Sequence, residues 1–438
     1  MLPHVYYLIT TSLLFTCSAA TNLPPPADWA PAIASGDMIF TSSLPEEIGE
    51  GFYPIIGNGF LALEVGPFVQ ERVNSWPWRD AGALKLSGVF TGESFVTPSH
   101  RAQLPRVGAV TLVPSHGASS YETVGASIDY SRGIYANRTR IINSPNCTND
   151  TIFEISSYAH RGTRELLMIT LRVFPEFQDN ITTWSGCSVE LQWDTNTPFG
   201  LPYSNDTLVQ VSQGNNPDTP TVWFGNTLMP EEKGGQLRSF AIAFDQWAAD
   251  QPTTLEFTPS LPNRTIHIAV RSDLDVEIGT SPSVVAVAAI ASWTTAYAQT
   301  TASLEKQHID AMSTLWASGG IELTGNVSLA AIVNASLYDI ISSLRSDWRE
   351  STSPGGLATG GYSGHTFWDM ATWMFPILIL LHPDLARSTA AYRFDRVNAT
   401  YDNAATMNES GAHIAWESAV TGKYAGRTCD ITAIENQH

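Results

Sequence analysis

S-P-G-G-L-A-T-G-G-Y-S-G-H-T-F-W-D-M-A-T-W-M-F-P-I-L-I-L-L-H-P-D-L-A-R-S-T-A-A-Y-R, residues 353–393, puts a glycine-rich loop, a histidine, two tryptophans and a carboxylate in front of an apolar run. The residues concerned are Gly364, His365, Trp368, Asp369 and Trp373. Flat aromatic faces beside a fixed carboxylate suit a sugar ring, which offers C–H faces to stack and hydroxyls to hydrogen-bond. An aromatic cluster buried on a core helix would look the same from these residues alone. The apolar run predicts a helix over 367–381, stopped at His382-Pro383, with a second helix over 385–396.

Upstream of this block the pattern stays helical for some distance. Residues 281–299 are rich in Ala and Val, and 304–316 carry charges on one side. A break at 317–325 precedes 329–346, whose apolar residues recur at helical spacing. Before residue 275 the signal changes. Runs at 109–113, 166–173, 189–193, 221–224, 239–244 and 264–270 mix β-branched, aromatic and polar residues at short period, separated by Gly, Pro, Asn and Asp. The expected fold class is therefore multidomain, β then α. An N-terminal antiparallel β-sandwich covers 30–275, a helical linker 276–325, and a helical domain 326–438. About four helices are too few to bury the inward faces of a helical barrel, so the chain is expected to be truncated.

Composition narrows the function. A net charge of −19 opposes nucleic acid and anionic membrane surfaces. Residues 5–17 are an apolar segment followed by Ser18, Ala19 and Ala20, the layout of a cleavable secretion signal over residues 1–20, and no stable membrane span is expected. Sequons at Asn137, Asn146, Asn149, Asn180, Asn205, Asn263, Asn326, Asn334, Asn398 and Asn408 point the same way. The expectation is a glycoprotein, secreted or held in a vacuole or lysosome. Cys17 would leave with the signal; Cys147 and Cys187 are the disulfide candidates and Cys429 is left over. No His/Cys spacing suggests a metal, and no cofactor is expected.

Several segments carry a resemblance. G-L-A-T-G-G-Y-S-G-H-T-F-W-D, followed by W-M-F-P and L-L-H-P, resembles the catalytic domain of glycoside hydrolase family 65. Ile56-Gly57-Asn58-Gly59-Phe60-Leu61, Ser87-Gly88-Val89-Phe90-Thr91-Gly92, Ser99-His100-Arg101-Ala102 and Trp416-Glu417-Ser418-Ala419 are similar to further family segments, in the same order. The resemblance implies an (α/α)6 barrel, here incomplete, behind the sandwich. It also implies inverting hydrolysis that releases glucose from an α-glucoside, either glucosyl-galactosyl-hydroxylysine or, as in acid trehalase-like proteins, trehalose.

Inverting hydrolysis needs a carboxylic acid to protonate the leaving oxygen and a carboxylate to activate water on the opposite face, roughly 6.5–9.5 Å apart. By resemblance, Trp368 and Asp369 bind the glucose, with His365, Trp373 and Glu417 in or beside the subsite. Glu435 is the candidate general acid, although it stands three residues before His438 where two is the usual spacing. The general base of the family lies further downstream, so the chain alone is expected to release negligible glucose. A secreted carbohydrate-binding protein without hydrolysis is the reading of another class.

Overall fold

The computed structural model describes residues 25–42, 54–65, 82–92, 99–108, 110–113, 120–147, 150–175, 184–193, 209–212, 218–231, 235–248 and 253–425. The apolar leader, Asn149, Asn180, Asn205, Cys429 and Glu435 lie outside the described residues.

Nine antiparallel strands make the main sheet, in the order Met38–Thr41, Ser120–Asp129, Ile134–Ile142, Thr151–Ala159, Leu166–Pro175, Asn263–Ser272, Ser239–Asp245, Pro220–Asn226 and Val209–Ser212. Its central strands show how the sequence sets the layers. In S-F-A-I-A-F-D, Phe240, Ile242 and Phe244 point to one face, while Ala241 and Ala243 point to the other. This is the two-residue period of a strand, with a large and a small side. The large side meets a three-stranded sheet of Thr253–Phe257, Cys187–Trp193 and Val110–Val113, where Phe153 and Phe257 approach to 6.2 Å. A disulfide joins Cys147 to Cys187, the first residue of the middle strand of that smaller sheet.

The small side takes a helix. Helix α1 (Pro282–Tyr297) starts with proline in its first turn and lays Val285, Ala286, Ala289 and Trp293 onto Met168, Ala241, Ala243 and Ala269. Small residues on both surfaces let helix and sheet approach closely. Within the segment expected to be a linker, this helix lies against the sheet. Helix α2 (Thr301–Ser318) is also docked: Trp316 Nε1 donates to the Tyr130 carbonyl at 3.0 Å. His308, 1% exposed, accepts from the Arg161 amide on Nδ1 at 3.0 Å and meets the Arg132 carbonyl through Nε2 at 2.6 Å.

Helix α3 (Val327–Ile341) ends five residues before the predicted limit, for a tertiary reason. The Ser342 carbonyl accepts from the Gly59 amide at 2.7 Å, so the I-G-N-G-F turn takes over the acceptors at the helix end. Gly59 has φ +84°, and a Cβ there would lie 2.2 Å from the Leu344 carbonyl carbon. Asn58, fully buried, accepts from the Phe60 and Leu61 amides and donates to the His160 and Arg164 carbonyls. Asn58→Ala leaves these four backbone groups without that partner and should cost about 2 kcal/mol or more. Equilibrium denaturation checks it; a loss within about 0.5 kcal/mol, typical of an exposed site, would contradict this role.

The helical part continues with α4 (Phe375–Leu381), α5 (Pro383–Asp395) and α6 (Val397–Thr406). The helix predicted over 367–381 is only partly regular. Thr366–Phe367 is extended, Met370–Met374 is a π turn, and the α-helix starts at Phe375. Pro376 explains the widening: it has no N–H to give and its ring clashes with the carbonyl four residues back, so the preceding turn opens to i+5.

Candidate active site

The glycine-rich loop is held from the sheet domain by two buried cations. Arg101 donates through Nη1 to the carbonyls of Gly356 (2.8 Å) and Leu357 (3.1 Å), and through Nη2 to that of Gly364 (2.8 Å). Burial lowers the Arg101 pKa to about 10, which leaves it a cation at neutral pH. Lys85 Nζ donates to the Ala358 carbonyl at 2.8 Å. Within the loop, Ser353 Oγ donates to the Gly361 carbonyl and Thr359 Oγ1 to that of Gly355.

Beyond that clamp the backbone turns sharply. Tyr362 and Ser363 have φ of 56° and 55°, and Gly364 follows at 75°. Left-handed conformations at two non-glycine residues are costly and persist where surrounding contacts enforce them. Gly364 is required, because a Cβ would lie 2.6 Å from Arg101 Cβ. The turn delivers the chain into Thr366–Phe367, which pairs antiparallel with Glu417–Ser418.

This short ribbon assembles the site. The Trp368 amide donates to the Trp416 carbonyl at 3.1 Å, and their rings lie 5.5 Å apart at 43°. Trp373, brought round by the π turn, stands 6.2 Å from Trp368 and is 59% exposed. Asp369 follows Trp368 directly and is half-buried. Glu417 pairs in register with Phe367, and its Oε2 lies 2.9 Å from His365 Nδ1. His365 is 1% exposed, and its Nε2 lies 3.3 Å from Ser99 Oγ, so both ring nitrogens are taken inside the protein. Arg393 braces the ribbon from α5 through Ser418 Oγ and the Phe367 carbonyl.

Trp368, Asp369, Trp373, His365 and Glu417 therefore come together around one ribbon. Glu435 lies outside the described residues. Trp416 was visible in the sequence only as the neighbour of Glu417, with no role assigned. Ser99 and Arg101 sat in the S-H-R-A segment without a stated purpose. Glu231, which accepts from the Val420 amide at 3.1 Å, has no local sequence signal at all. Chemically, the ribbon gathers aromatic rings and carboxylates, the groups that suit a polyhydroxylated ring.

Comparison with known proteins places this block. Residues 334–437 match the glycosyl hydrolase family 65 central catalytic domain. The match covers about a quarter of the chain. The matched residues include the whole ribbon together with His365, Trp368, Asp369, Trp373, Glu417 and Glu435.

Protein-glucosylgalactosylhydroxylysine glucosidase of Dictyostelium discoideum is 29% identical over 422 residues, covering 95% of this chain and 54% of the relative. Kojibiose hydrolase of Mucilaginibacter mallensis is 40% identical over 119 residues, 27% of this chain and 18% of the relative. A solved structure of a putative kojibiose phosphorylase from human microbiome superposes with a TM-score of 0.65 at 14% identity, over 89% of this chain and 52% of that one. That likeness shows the fold, β first and α second. The chain spans about half the length of the Dictyostelium relative and of the solved structure.

Proposed function

We propose that this protein is an inverting glycoside hydrolase that releases glucose from an α-glucoside, most like the protein-glucosylgalactosylhydroxylysine glucosidases. The observation that carries the reading is one antiparallel ribbon within residues 334–437 that sets Phe367 opposite Glu417 and Trp368 against Trp416, with Asp369 next along the chain. The tryptophan faces stack on the glucose and the carboxylates accept from its hydroxyls. Glu435 protonates the departing oxygen, and a carboxylate elsewhere in the (α/α)6 barrel activates the water. Trehalose is the alternative substrate, and the kojibiose hydrolase likeness adds kojibiose as a third.

The test incubates the full gene product with a glucosyl-galactosyl-hydroxylysine peptide, kojibiose and trehalose, and measures free glucose. Release from the first above the other two supports the reading. Release from trehalose alone moves the protein to the acid-trehalase reading, and binding without release to the carbohydrate-binding one.

Export belongs to the same proposal. The Cys147–Cys187 disulfide supports an oxidising compartment, and among the described residues no helix is long and apolar enough to cross a membrane. Sequon geometry then predicts a pattern of glycans. Asn263, Asn326, Asn398 and Asn408 are exposed, whereas Asn334 Nδ2 donates to the Gly36 carbonyl at 3.1 Å. Glycopeptide mapping of secreted protein should find Asn334 unmodified and exposed sites occupied. Full occupancy at Asn334 would contradict the packing of α3 on the chain at Gly36.

A further inference from the structure

Ser99, from the sheet domain, meets the buried His365 beside the sugar site. We propose that Ser99 and His365 are positioning residues for Glu417, forming a Ser99–His365–Glu417 chain that fixes the carboxylate toward a sugar hydroxyl. This inference rests on the sugar-site reading above.

The geometry is specific. Strand Ser99–Arg101 pairs with Phe90–Gly92, and this two-stranded ribbon supplies both a hydroxyl and an aromatic rail. Phe90 stacks on the His365 ring at 5.9 Å and 29°, fixing its plane. Ser99 Oγ stands 3.3 Å from Nε2, and Glu417 Oε2 stands 2.9 Å from Nδ1. Two residues from Ser99, Arg101 grips the Gly364 carbonyl next to His365, so one short strand locates both ends of the contact. Burial separates the roles: the His365 side chain is 1% exposed, that of Glu417 22%.

The direction of the hydrogen bonds follows. A carboxylate oxygen facing Nδ1 accepts, so a neutral imidazole between Ser99 and Glu417 carries its proton on Nδ1. Nε2 is then a lone pair, and the Ser99 hydroxyl donates to it. The chain reads Ser99 O–H to Nε2, then Nδ1–H to Glu417 Oε2. One carboxylate oxygen is committed, which stops the group from rotating and leaves the other for the ligand. His365 acts on the sugar through Glu417, as a partner that orients a binding group rather than a binding group itself.

The test has two arms. Long-range ¹H–¹⁵N spectra of the histidine-labelled 438-residue chain, with His365 assigned through His365→Gln, report the tautomer directly. The expected pattern is a neutral Nδ1–H ring whose Nε2 resonance moves in Ser99→Ala and returns in Ser99→Thr. An Nε2–H ring, or an Nε2 resonance indifferent to Ser99→Ala, overturns the proposal. In the full gene product, Ser99→Ala should lower kcat for the α-glucoside by about 5–20-fold with KM within about twofold, and Ser99→Thr should recover most of it. Unchanged kcat in Ser99→Ala also overturns it, whatever the spectra show. Should the wild-type product release no glucose, the hydrolase reading fails while the spectroscopic arm still decides the chain.

Discussion

Asp369→Asn in the full gene product is expected to abolish measurable glucose release, by about 10²–10⁴-fold. Asp369 follows Trp368 at the point where the extended segment passes into the π turn, half-buried beside the tryptophan cluster. In the proposed reading this carboxylate accepts from two sugar hydroxyls, and each charge-assisted hydrogen bond is worth about 1.5–3 kcal/mol. Asparagine keeps the shape but turns one acceptor into a donor, so one hydroxyl meets the wrong partner. With one hydroxyl facing a donor and the other losing its charged acceptor, two losses of about 1.5–3 kcal/mol total about 3–6 kcal/mol, on the order of 10²–10⁴ in rate. Circular dichroism and thermal midpoint should stay near wild type. A variant that folds and keeps more than a tenth of wild-type turnover would remove Asp369 from the sugar site.

Acid should loosen the junction between the sheet and helix α2, with His308 responsible for a large share. Burial is the main reason its pKa is pushed down to about 3, with His160 and the nearby Arg132 and Arg161 adding to it. The neutral ring is fully used: Nδ1 accepts the Arg161 amide, Nε2 donates to the Arg132 carbonyl, and Tyr158 stacks on it at 4.5 Å. A proton on Nδ1 would face an N–H donor.

The sign is fixed by which state binds the proton. The unfolded chain takes it near pH 6.5 and the folded one near 3, so stability is fully present above 6.5 and falls as pH drops toward 3. Between pH 7 and 4 the loss is about 3 kcal/mol from His308 alone. His160, whose pKa burial also lowers, works in the same direction. Burial raises the carboxyl groups of Asp129, Asp275 and Glu350, which gain stability as pH falls and oppose the effect. His308→Gln separates the two, since glutamine offers an acceptor and a donor without titrating. Denaturation midpoints across pH 4–7 should fall more steeply for wild type than for His308→Gln. Parallel slopes would contradict the assignment.

How much of this was legible depended on the range of the interaction. The alternation of Phe240, Ile242 and Phe244 with Ala241 and Ala243 shows a strand without help, and the structure explains it by a large core on one side and α1 on the other. The Trp368-Asp369 block was readable because its residues are contiguous. The π turn was not, although Pro376 marks it, since apolar periodicity carries no sign of a wider turn. In the apolar run Ile379 and Leu380 are 51% and 80% exposed, and of that helix only Leu378 is fully buried, a sidedness that an all-apolar stretch does not encode. Ser99 was invisible as a partner: it meets His365 across 266 residues, and no local pattern encodes such a contact. Glu231 and His308 are hidden for the same reason.

The central claim is that this ribbon holds a terminal α-glucose for hydrolysis with inversion. Proton NMR of the first sugar released by the full gene product tests it most directly. With a glucosyl-galactosyl-hydroxylysine peptide as substrate, the β-anomer of glucose should appear first and the α-anomer grow in only at the rate of mutarotation. The α-anomer appearing first, or no glucose at all from any of the three substrates, would contradict it.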